Sequence, residues 1–255
     1  MNGTGGLEVE DLRVFYGPVP AVRGVSLACR PGEIVGVIGA NGAGKTSLLS
    51  GIAGLVKTSG GSVALDRRDI TRWPAHRRGQ AGVVMVAERR RVFPSLSVRE
   101  NLAVGGFGLD RAEVDRRVNR IFELFPRLRE REGVPSFRLS GGEQRMVSIG
   151  RALVTGAQCI LFDELSLGLA PRIVAELTGT VRALADEGRM VVLVEQYIGV
   201  LLRLADSVHV LERGRIRFAG PTQEAARWLE HHGYLAHAET AAVTQGAGQT
   251  AAART

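Results

Sequence analysis

The stretch GANGAGKT, residues 39–46, lies between the apolar run EIVGVI (33–38) and the helical pattern TSLLSGIAGL (46–55). It has the spacing G-x-x-x-x-G-K-[ST] in the strand–turn–helix context of a phosphate-binding loop. Glycines in such a loop let successive backbone N–H groups face phosphate oxygens, and the helix N-terminus adds the positive end of its dipole. The stretch therefore predicts a phosphate site on an α/β sheet.

Two side chains of this stretch have separate predicted tasks. Lys45 supplies a point charge for the β and γ phosphates, and Thr46 supplies a hydroxyl for Mg²⁺. Lysine occurs at one other position, Lys57, although the chain has 33 basic residues. The residues that we predict to bind nucleotide here are Gly39, Asn41, Gly42, Gly44, Lys45, Thr46 and Ser47.

A second apolar run, CILFDE (159–164), ends in two carboxylates. An unpaired buried carboxylate is costly, so this strand end indicates a cationic or reactive partner. We predict that Asp163 binds Mg²⁺. Glu164, which should point to the other side of the pleat, is then the candidate base that polarises an attacking water. A surface turn with two solvated acids is the alternative.

The third element is LSGGEQ, residues 139–144. Ser140 and Glu143 have the spacing of a capping box at a helix start. Gly141 and Gly142 would occupy the first helical turn, where each costs about 0.5–1 kcal/mol relative to alanine. A cap alone does not need them, so we predict a second anion site formed by Ser140, Gly141 and Gly142.

Apolar runs and helical patterns divide the chain into three zones. Continuous apolar runs at 33–39, 82–87, 159–164 and 191–195 predict a mostly parallel sheet that is buried on both faces. Residues 7–30 and 61–66 alternate more and predict a smaller antiparallel sheet, and residues 94–156 have helical patterns alone. Residues 235–255 are poor in bulky apolar side chains, which predicts a disordered tail.

The composition narrows the function classes. The net charge is +7, but the arginines are scattered and lack interleaved aromatics, so we expect no nucleic-acid partner. Attraction to an anionic membrane surface is the functional alternative to a merely solvated basic surface. Neither a membrane-spanning run nor a signal peptide is apparent, which predicts a cytoplasmic location. Cys29 and Cys159 adjoin apolar runs and are interpreted as core residues.

GANGAGKT, LSGGEQ and ILFDE, in this order, resemble the nucleotide-binding subunit of an ATP-binding cassette (ABC) transporter. The resemblance implies an α/β fold: a P-loop NTPase core with a mostly parallel sheet, an N-terminal antiparallel β subdomain and an inserted helical subdomain. It implies an ATPase domain over 7–234 with the helical part at about 94–156. It also implies that Ser140, Gly141 and Gly142 close over the ATP of a second cassette, and that Tyr16 stacks on adenine. A core aromatic at a strand end is the alternative for Tyr16.

Three positions depart from the common pattern of that family. VVLVEQ (191–196) ends in Gln196, where most members have a histidine that senses the γ-phosphate. Glu88 stands where a glutamine usually contacts Mg²⁺ and the attacking water, and Ala170 replaces an aspartate. These departures resemble the ATPases of branched-chain amino-acid importers and of related urea and short-amide importers. We predict catalytic roles for Gln196 and Glu88, with Glu88 also near the metal.

Even within that subgroup four residues are unusual: Ala87, Arg89, Leu165 and Tyr197. Leu165 stands where proline would fix the backbone φ after the base, so the aim of Glu164 is in question. Ala87 and Arg89 lie in the loop that meets the membrane subunit in the family. They therefore bear on the identity of the solute and on the choice of membrane partner.

The resemblance also implies the partners. These are a second ABC ATPase subunit, identical or a paralogue, two membrane permease subunits and an extracytoplasmic solute-binding protein, with ATP and Mg²⁺ as ligands. The implied location is the cytoplasmic face of the cell membrane. The implied solute is a branched-chain amino acid, with urea or short amides as the alternative. An ABC ATPase outside transport is a further alternative, but such proteins usually carry a long coiled-coil insertion or two cassettes.

Overall fold

The computed structural model describes residues 5–87 and 92–234, and two β-sheets organise them. The first sheet is antiparallel with strand order β2-β1-β4-β5, and the second has the order β10-β9-β3-β8-β7-β6. The strands are β1 Leu7–Tyr16, β2 Val19–Cys29, β3 Ile34–Ile38, β4 Thr58–Leu65, β5 Arg68–Asp69, β6 Val83–Val86, β7 Cys159–Asp163, β8 Met190–Glu195, β9 Ser207–Glu212 and β10 Arg215–Pro221.

The helices connect and cover these sheets. They are α1 Lys45–Ala53, α2 Ala75–Gln80, α3 Val98–Ala103, α4 Arg111–Leu124, α5 Pro126–Arg129, α6 Gly141–Val154, α7 Pro171–Asp186, α8 Ile198–Leu204 and α9 Thr222–His231. Residues 94–156, all of which the structure describes, form α3–α6, two 3₁₀ turns and a single β-bridge from Ser97 to Pro135. The predicted fold class is confirmed.

The central strands β3, β7 and β8 of the six-stranded sheet are buried on both faces, which explains their continuous apolar runs. Within β7, Ile160 and Phe162 face one hydrophobic core, while Cys159 and Leu161 face the other. The first core lies against α3–α9, and the second lies between the two sheets and includes the buried face of α1. Cys29 and Cys159 are both buried and unbridged, as predicted.

The register places the loop ends of the central strands together. β3 pairs in parallel with β8 and β9, and β7 pairs in parallel with β6 and β8. β10 runs antiparallel along β9 at the edge. The sequence analysis did not predict β9 and β10. The alternating burial of β10 is typical of an edge strand.

A buried arginine fixes the far end of α1. Arg78 is 2% exposed and donates to the carbonyls of Gly51 and Ile52, at 2.8 and 2.6 Å, and to those of Thr71 and Trp73. Desolvation lowers the pKa of its guanidinium. The positive charge satisfies carbonyls at the negative end of the α1 dipole.

None of the helices within 5–87 and 92–234 has the length and apolar character that a bilayer span requires. The predicted tail at 235–255 and the predicted residues Glu88 and Arg89 lie outside the described residues. The predicted limits of the ATPase domain and of its helical part stay predictions.

Candidate active site

The loop 39–44 carries the chain from β3 into α1 at the carboxyl edge of the parallel strands. Gly42 and Gly44 have φ of 78° and 107°, in the left-handed region that favours glycine. A Cβ on Gly44 would lie 2.3 Å from the Ala21 carbonyl oxygen, and one on Gly39 would lie 2.4 Å from that of Leu211. The loop therefore needs glycine for both conformation and close approach.

The start of α1 is open to a ligand. Gly44 is the N-cap and provides no side-chain hydrogen bond, and the first turn contains no acidic residue. The N–H groups of a first helical turn have no carbonyl partners in the helix. Asn41 and Thr46 are exposed beside them, while Ser47 is half-buried. The geometry thus gathers the residues predicted to hold phosphate.

Lys45 is drawn back into the loop. Its ammonium, only 5% exposed, donates to the carbonyl oxygens of Gly39 at 2.8 Å and Ala40 at 3.3 Å. It also lies 3.4 Å from Oε1 of Glu164. The predicted phosphate-binding charge and the predicted base therefore meet, although they are far apart in sequence.

Thr46 and Asp163 form the candidate metal site. The Thr46 hydroxyl donates to Oδ1 of Asp163 at 3.1 Å, and Asp163 is 2% exposed. A hydroxyl and a carboxylate are hard oxygen donors, and Mg²⁺ commonly takes one or two protein oxygens together with phosphates and waters. The donor set fits Mg²⁺. Among the described residues no group of three His, Cys, Asp or Glu side chains suits a metal ion, so the phosphates would have to complete the coordination.

The backbone conformation that brings Glu164 to Lys45 differs from the predicted one. Strand β7 ends at Asp163, and Glu164 has φ 51°, so it does not continue the pleat. Its N–H donates to the Val194 carbonyl at 3.0 Å. A left-handed conformation is uncommon for a residue other than glycine. The predicted position of Glu164 on the pleat is therefore wrong, although its carboxylate does face Lys45.

Arg145 contacts the backbone around the candidate base. This residue of α6 is 2% exposed and donates to the carbonyls of Asp163 at 2.9 Å and Glu164 at 3.0 Å. Its other terminal nitrogen donates to the Ala87 carbonyl at 2.5 Å. The side chain thus joins α6, the end of β7 and the end of β6.

The apolar strand β8 delivers a buried carboxylate. Glu195 is fully buried, and its two oxygens accept the backbone N–H and the hydroxyl of Ser166, both at 2.9 Å. Burial raises the pKa of Glu195, while both hydrogen bonds from Ser166 oppose that rise and the nearby charge of Glu164 adds to it. Glu195 thus holds the segment that follows the candidate base.

Two of the other unusual residues, Leu165 and Gln196, lie within this segment or directly after β8. Gln196, predicted to be catalytic, is half-buried directly after β8. Leu165 is fully buried in the core, so an apolar side chain anchors the position where the subgroup has proline. Glu88, predicted near the metal, lies outside the described residues.

The start of α6 differs from the start of α1. The Ser140 hydroxyl accepts the N–H of Glu143 at 3.3 Å, and the Glu143 carboxylate accepts the N–H of Ser140 at 2.8 Å. The capping box is therefore present. A Cβ on Gly142 would lie 2.9 Å from Cγ2 of Ile173, so packing against α7 gives Gly142 a reason of its own. Packing thus accounts for Gly142 without a ligand, contrary to the prediction that only an anion site requires it.

Tyr16 lies at the tip of the β1–β2 hairpin. It pairs with Val19 and is 50% exposed, which excludes the core position considered for it. A few residues further on, Ala21 contacts the loop glycine Gly44. The exposed ring is thus on the hairpin that borders the phosphate-binding loop.

Sequence reasoning missed Arg145 and Glu195. Glu195 was visible as an acid at the end of an apolar strand, the same signal that identified Asp163 and Glu164. Arg145 gave no signal, because one arginine among many on an amphipathic helix is ordinary.

Comparison with known proteins agrees with this geometry. The ABC transporter family matches residues 22–166. The chain is 41% identical over 210 residues to the high-affinity branched-chain amino acid transport ATP-binding protein BraG of Pseudomonas aeruginosa, covering 82% of this chain and 90% of that protein. It is 31% identical to the probable branched-chain amino acid transport ATP-binding protein LivF of Archaeoglobus fulgidus, covering 88% and 94%.

Solved structures share the fold. The ATP-binding cassette MJ1267 of an ABC transporter, in its ADP conformation, superposes with a TM-score of 0.79 at 26% identity, covering 86% of this chain and 92% of that one. A nucleotide-free cassette gives a TM-score of 0.79, also at 26% identity, with 85% and 91% covered. With its phosphate-binding loop and paired carboxylates at the strand ends, the chain belongs to the ABC transporter family, as a subunit that binds and hydrolyses ATP to drive transport.

Proposed function

We propose that this chain is the ATPase subunit of an importer for branched-chain amino acids. The observation that carries the proposal is the 41% identity to BraG, which extends over 90% of that protein. LivF, a second relative with the same named substrate class, is matched over 94% of its length.

The site chemistry follows from four side chains. Lys45 and the first turn of α1 bind the β and γ phosphates of ATP, and Thr46 and Asp163 hold Mg²⁺. The metal supplies charge neutralisation at the phosphate oxygens when it is bound. Glu164 is the general base for the attacking water. The 3.4 Å separation between Lys45 Nζ and Glu164 Oε1 supports this assignment, because it places the base beside the phosphate-binding charge.

Other predicted residues complete the nucleotide site in this proposal. Gln196 orients the water or the γ-phosphate by hydrogen bonds alone, since an amide does not titrate. Glu88 contributes a carboxylate near the metal. Tyr16 stacks on the adenine ring, for which its exposure on the hairpin tip is suitable.

Two cassettes act together in the proposed mechanism. Ser140, Gly141 and Gly142 of one cassette close over the ATP that the other holds, and hydrolysis releases the pair. In support, no hydrogen bond or ion pair within the described ranges links Ser140 to the chain's own Lys45 loop. Association would shift two permease subunits between inward and outward access, at the cytoplasmic face of the membrane. A solute-binding protein outside delivers the solute.

Uptake measurements test the solute. A strain lacking this gene should lose high-affinity uptake of leucine, isoleucine and valine and regain it on complementation. Uptake of urea and of a short amide should be unchanged. If urea or amide uptake fails instead, the alternative solute class is correct.

The base assignment predicts the behaviour of Glu164→Gln. The variant should bind ATP normally while hydrolysis falls by about 10²- to 10⁴-fold, the usual contribution of a general base. Glu230→Gln, at an exposed position on α9, is the control. Steady-state phosphate release and nucleotide titration give the two quantities. Hydrolysis within about threefold of wild type would remove Glu164 from the role.

A further inference from the structure

The backbone that carries the candidate base is held from two sides. On one side the Arg145 guanidinium donates to the carbonyls of Asp163 and Glu164. On the other, Glu195 accepts both the N–H and the hydroxyl of Ser166. Two buried side chains of opposite charge thus bracket a segment of four residues.

This segment needs support because its conformation is unfavourable. Glu164 has φ 51°, and a non-glycine residue in that region is strained and persists only where its surroundings impose it. One further restraint is the hydrogen bond from the Glu164 N–H to Val194. Without these anchors the backbone would relax toward a commoner conformation, and the carboxylate would turn away from Lys45.

The chemical form of the anchors suits fixed positioning. A guanidinium has five N–H donors in a rigid fork, so one side chain can bind carbonyls of two separate strand ends at once. A carboxylate with two separate hydrogen bonds to one residue fixes both the position and the rotation of that residue. Both groups are almost fully excluded from water. A buried polar group that loses its hydrogen-bond partner is costly, because no water can replace that partner.

We propose that Arg145 and Glu195 are positioning residues that together aim the Glu164 carboxylate at the attacking water. Each acts through the backbone of residues 163–166, to which its hydrogen bonds are made. The inference deepens the proposed function and rests on Glu164 being the base.

Arg145 also connects the candidate base to the start of α6. It lies on α6 five residues after Ser140, the N-cap that we propose to meet the partner's ATP. A shift of α6 on association would therefore be transmitted directly to the carbonyl of Glu164.

Four variants test the proposal in the full-length protein. Arg145→Met and Glu195→Leu remove the anchors, while Arg145→Lys and Glu195→Gln keep part of them. Glutamine at 195 can still accept from the Ser166 N–H and donate to its hydroxyl oxygen. The measurements are kcat and KM for ATP, the Kd for ATP and the midpoint of thermal unfolding.

We expect kcat to fall up to about 100-fold in Arg145→Met and Glu195→Leu, the scale of a 1 Å misplacement of a reacting group, with the Kd for ATP within about threefold of wild type. Glu195→Gln should recover most of kcat, and Arg145→Lys a part of it. Arg78→Met is the matched control, because Arg78 is equally buried and bound to backbone carbonyls at the far end of α1. It should lower the unfolding midpoint and leave kcat unchanged.

A double variant separates action through Glu164 from general distortion. If Arg145 works through the base, adding Arg145→Met to Glu164→Gln should change the remaining rate by less than about threefold, because coupled residues are not additive. A further loss equal to that of the single variant would contradict the proposal.

Should the apolar variants fail to fold, Arg145→Lys and Ser166→Ala carry the test, since both keep the core volume nearly intact. The inference is overturned if kcat stays within about threefold of wild type in Arg145→Met and Glu195→Leu, or in Arg145→Lys and Ser166→Ala where the apolar variants do not fold, while Glu164→Gln is inactive. It is also overturned if kcat and ATP affinity fall together. Normal hydrolysis in Glu164→Gln would instead overturn the proposed base.

Discussion

The two glycine-containing helix starts, at α1 and at α6, look alike in sequence and differ in structure. The N-cap of α1 is Gly44 in a left-handed conformation, with no side-chain hydrogen bond and a buried lysine as the first helical residue. The N-cap of α6 is Ser140, closed by a reciprocal pair of hydrogen bonds with Glu143.

The difference concerns what each helix needs in order to be stable. Ser140 and Glu143 satisfy each other's backbone N–H groups within the chain, so α6 begins with a cap of its own. The start of α1 lacks such a cap and carries a positive charge beside its open N–H groups, so an anion completes it. The helix start proposed to bind phosphate is uncapped, whereas α6 keeps its cap and exposes Ser140 at its start.

The largest expected effect is at α1. Lys45→Ala should weaken ATP binding to the isolated subunit by about 10- to 150-fold, since it removes a charge-assisted contact worth about 1.5–3 kcal/mol and leaves Glu164 without its ion pair. Lys57→Ala, at the chain's other lysine, is exposed and should bind normally. Nucleotide titration checks both. Tight ATP binding by Lys45→Ala would contradict the proposed role of Lys45 and remove this difference between the starts of α1 and α6.

Ser140→Arg should separate the two helix starts in another way. We expect unchanged ATP binding to the monomer and loss of ATP-driven association, with about 0.5–2 kcal/mol of stability lost with the cap. Ser97→Arg is the matched control, because Ser97 forms the same capping box on α3. Sedimentation with and without ATP, in a background that does not hydrolyse it, gives the answer. Association of Ser140→Arg as strong as that of Ser97→Arg would show that α6 is only capped.

Gly142→Ala probes the packing reason for a glycine in α6. The added methyl would lie 2.9 Å from Cγ2 of Ile173, and overpacking costs about 1–3 kcal/mol, part of which the gain of about 0.5–1 kcal/mol in helix propensity offsets. Gly179→Ala, on α7 with nothing within 4 Å of the new methyl, should be neutral or stabilising. Denaturant unfolding measures both. Equal stability of the two variants would leave ligand binding as the reason for Gly142.

The smallest expected effect is on the pH dependence of stability, and it concerns His209. His209 of β9 lies opposite Val37 of β3, the strand that leads into the loop, and its Nδ1 has no hydrogen-bond partner among the described residues. Desolvation lowers its pKa below 6.5 in the folded protein, and Glu33 only partly opposes this. Its stabilising contribution is therefore present above pH 6.5 and is lost as the pH falls, because the unfolded chain takes up the proton first.

The loss should amount to at most about 1.4 kcal/mol per pH unit below 6.5 until the folded pKa is reached. His209→Gln should flatten the dependence of the unfolding free energy on pH between about 6.5 and 5. His76→Gln, at an exposed position, is the control. Equal slopes in wild type and His209→Gln would place the acid sensitivity elsewhere.

What the sequence determined by itself is local. Lys45, Thr46 and the loop glycines could be assigned because positive φ, open N–H groups and a strand–turn–helix order are properties of neighbouring residues. Asp163 and Glu164 could be assigned because an acid that ends a buried strand needs a partner. The apolar runs determined the sheet that is buried on both faces, although the alternating edge strand β10 and its neighbour β9 were missed.

The tertiary structure alone decided how distant segments restrain one another. The left-handed turn at Glu164, the hold of Arg145 on residues 163 and 164, the pairing of Glu195 with Ser166 and the contact of Gly142 with Ile173 all join residues by packing. Sequence patterns report which backbone conformations and burial a segment favours. They do not report which buried partner satisfies a given polar group, because that depends on the register and packing of strands and helices that meet only in the folded chain.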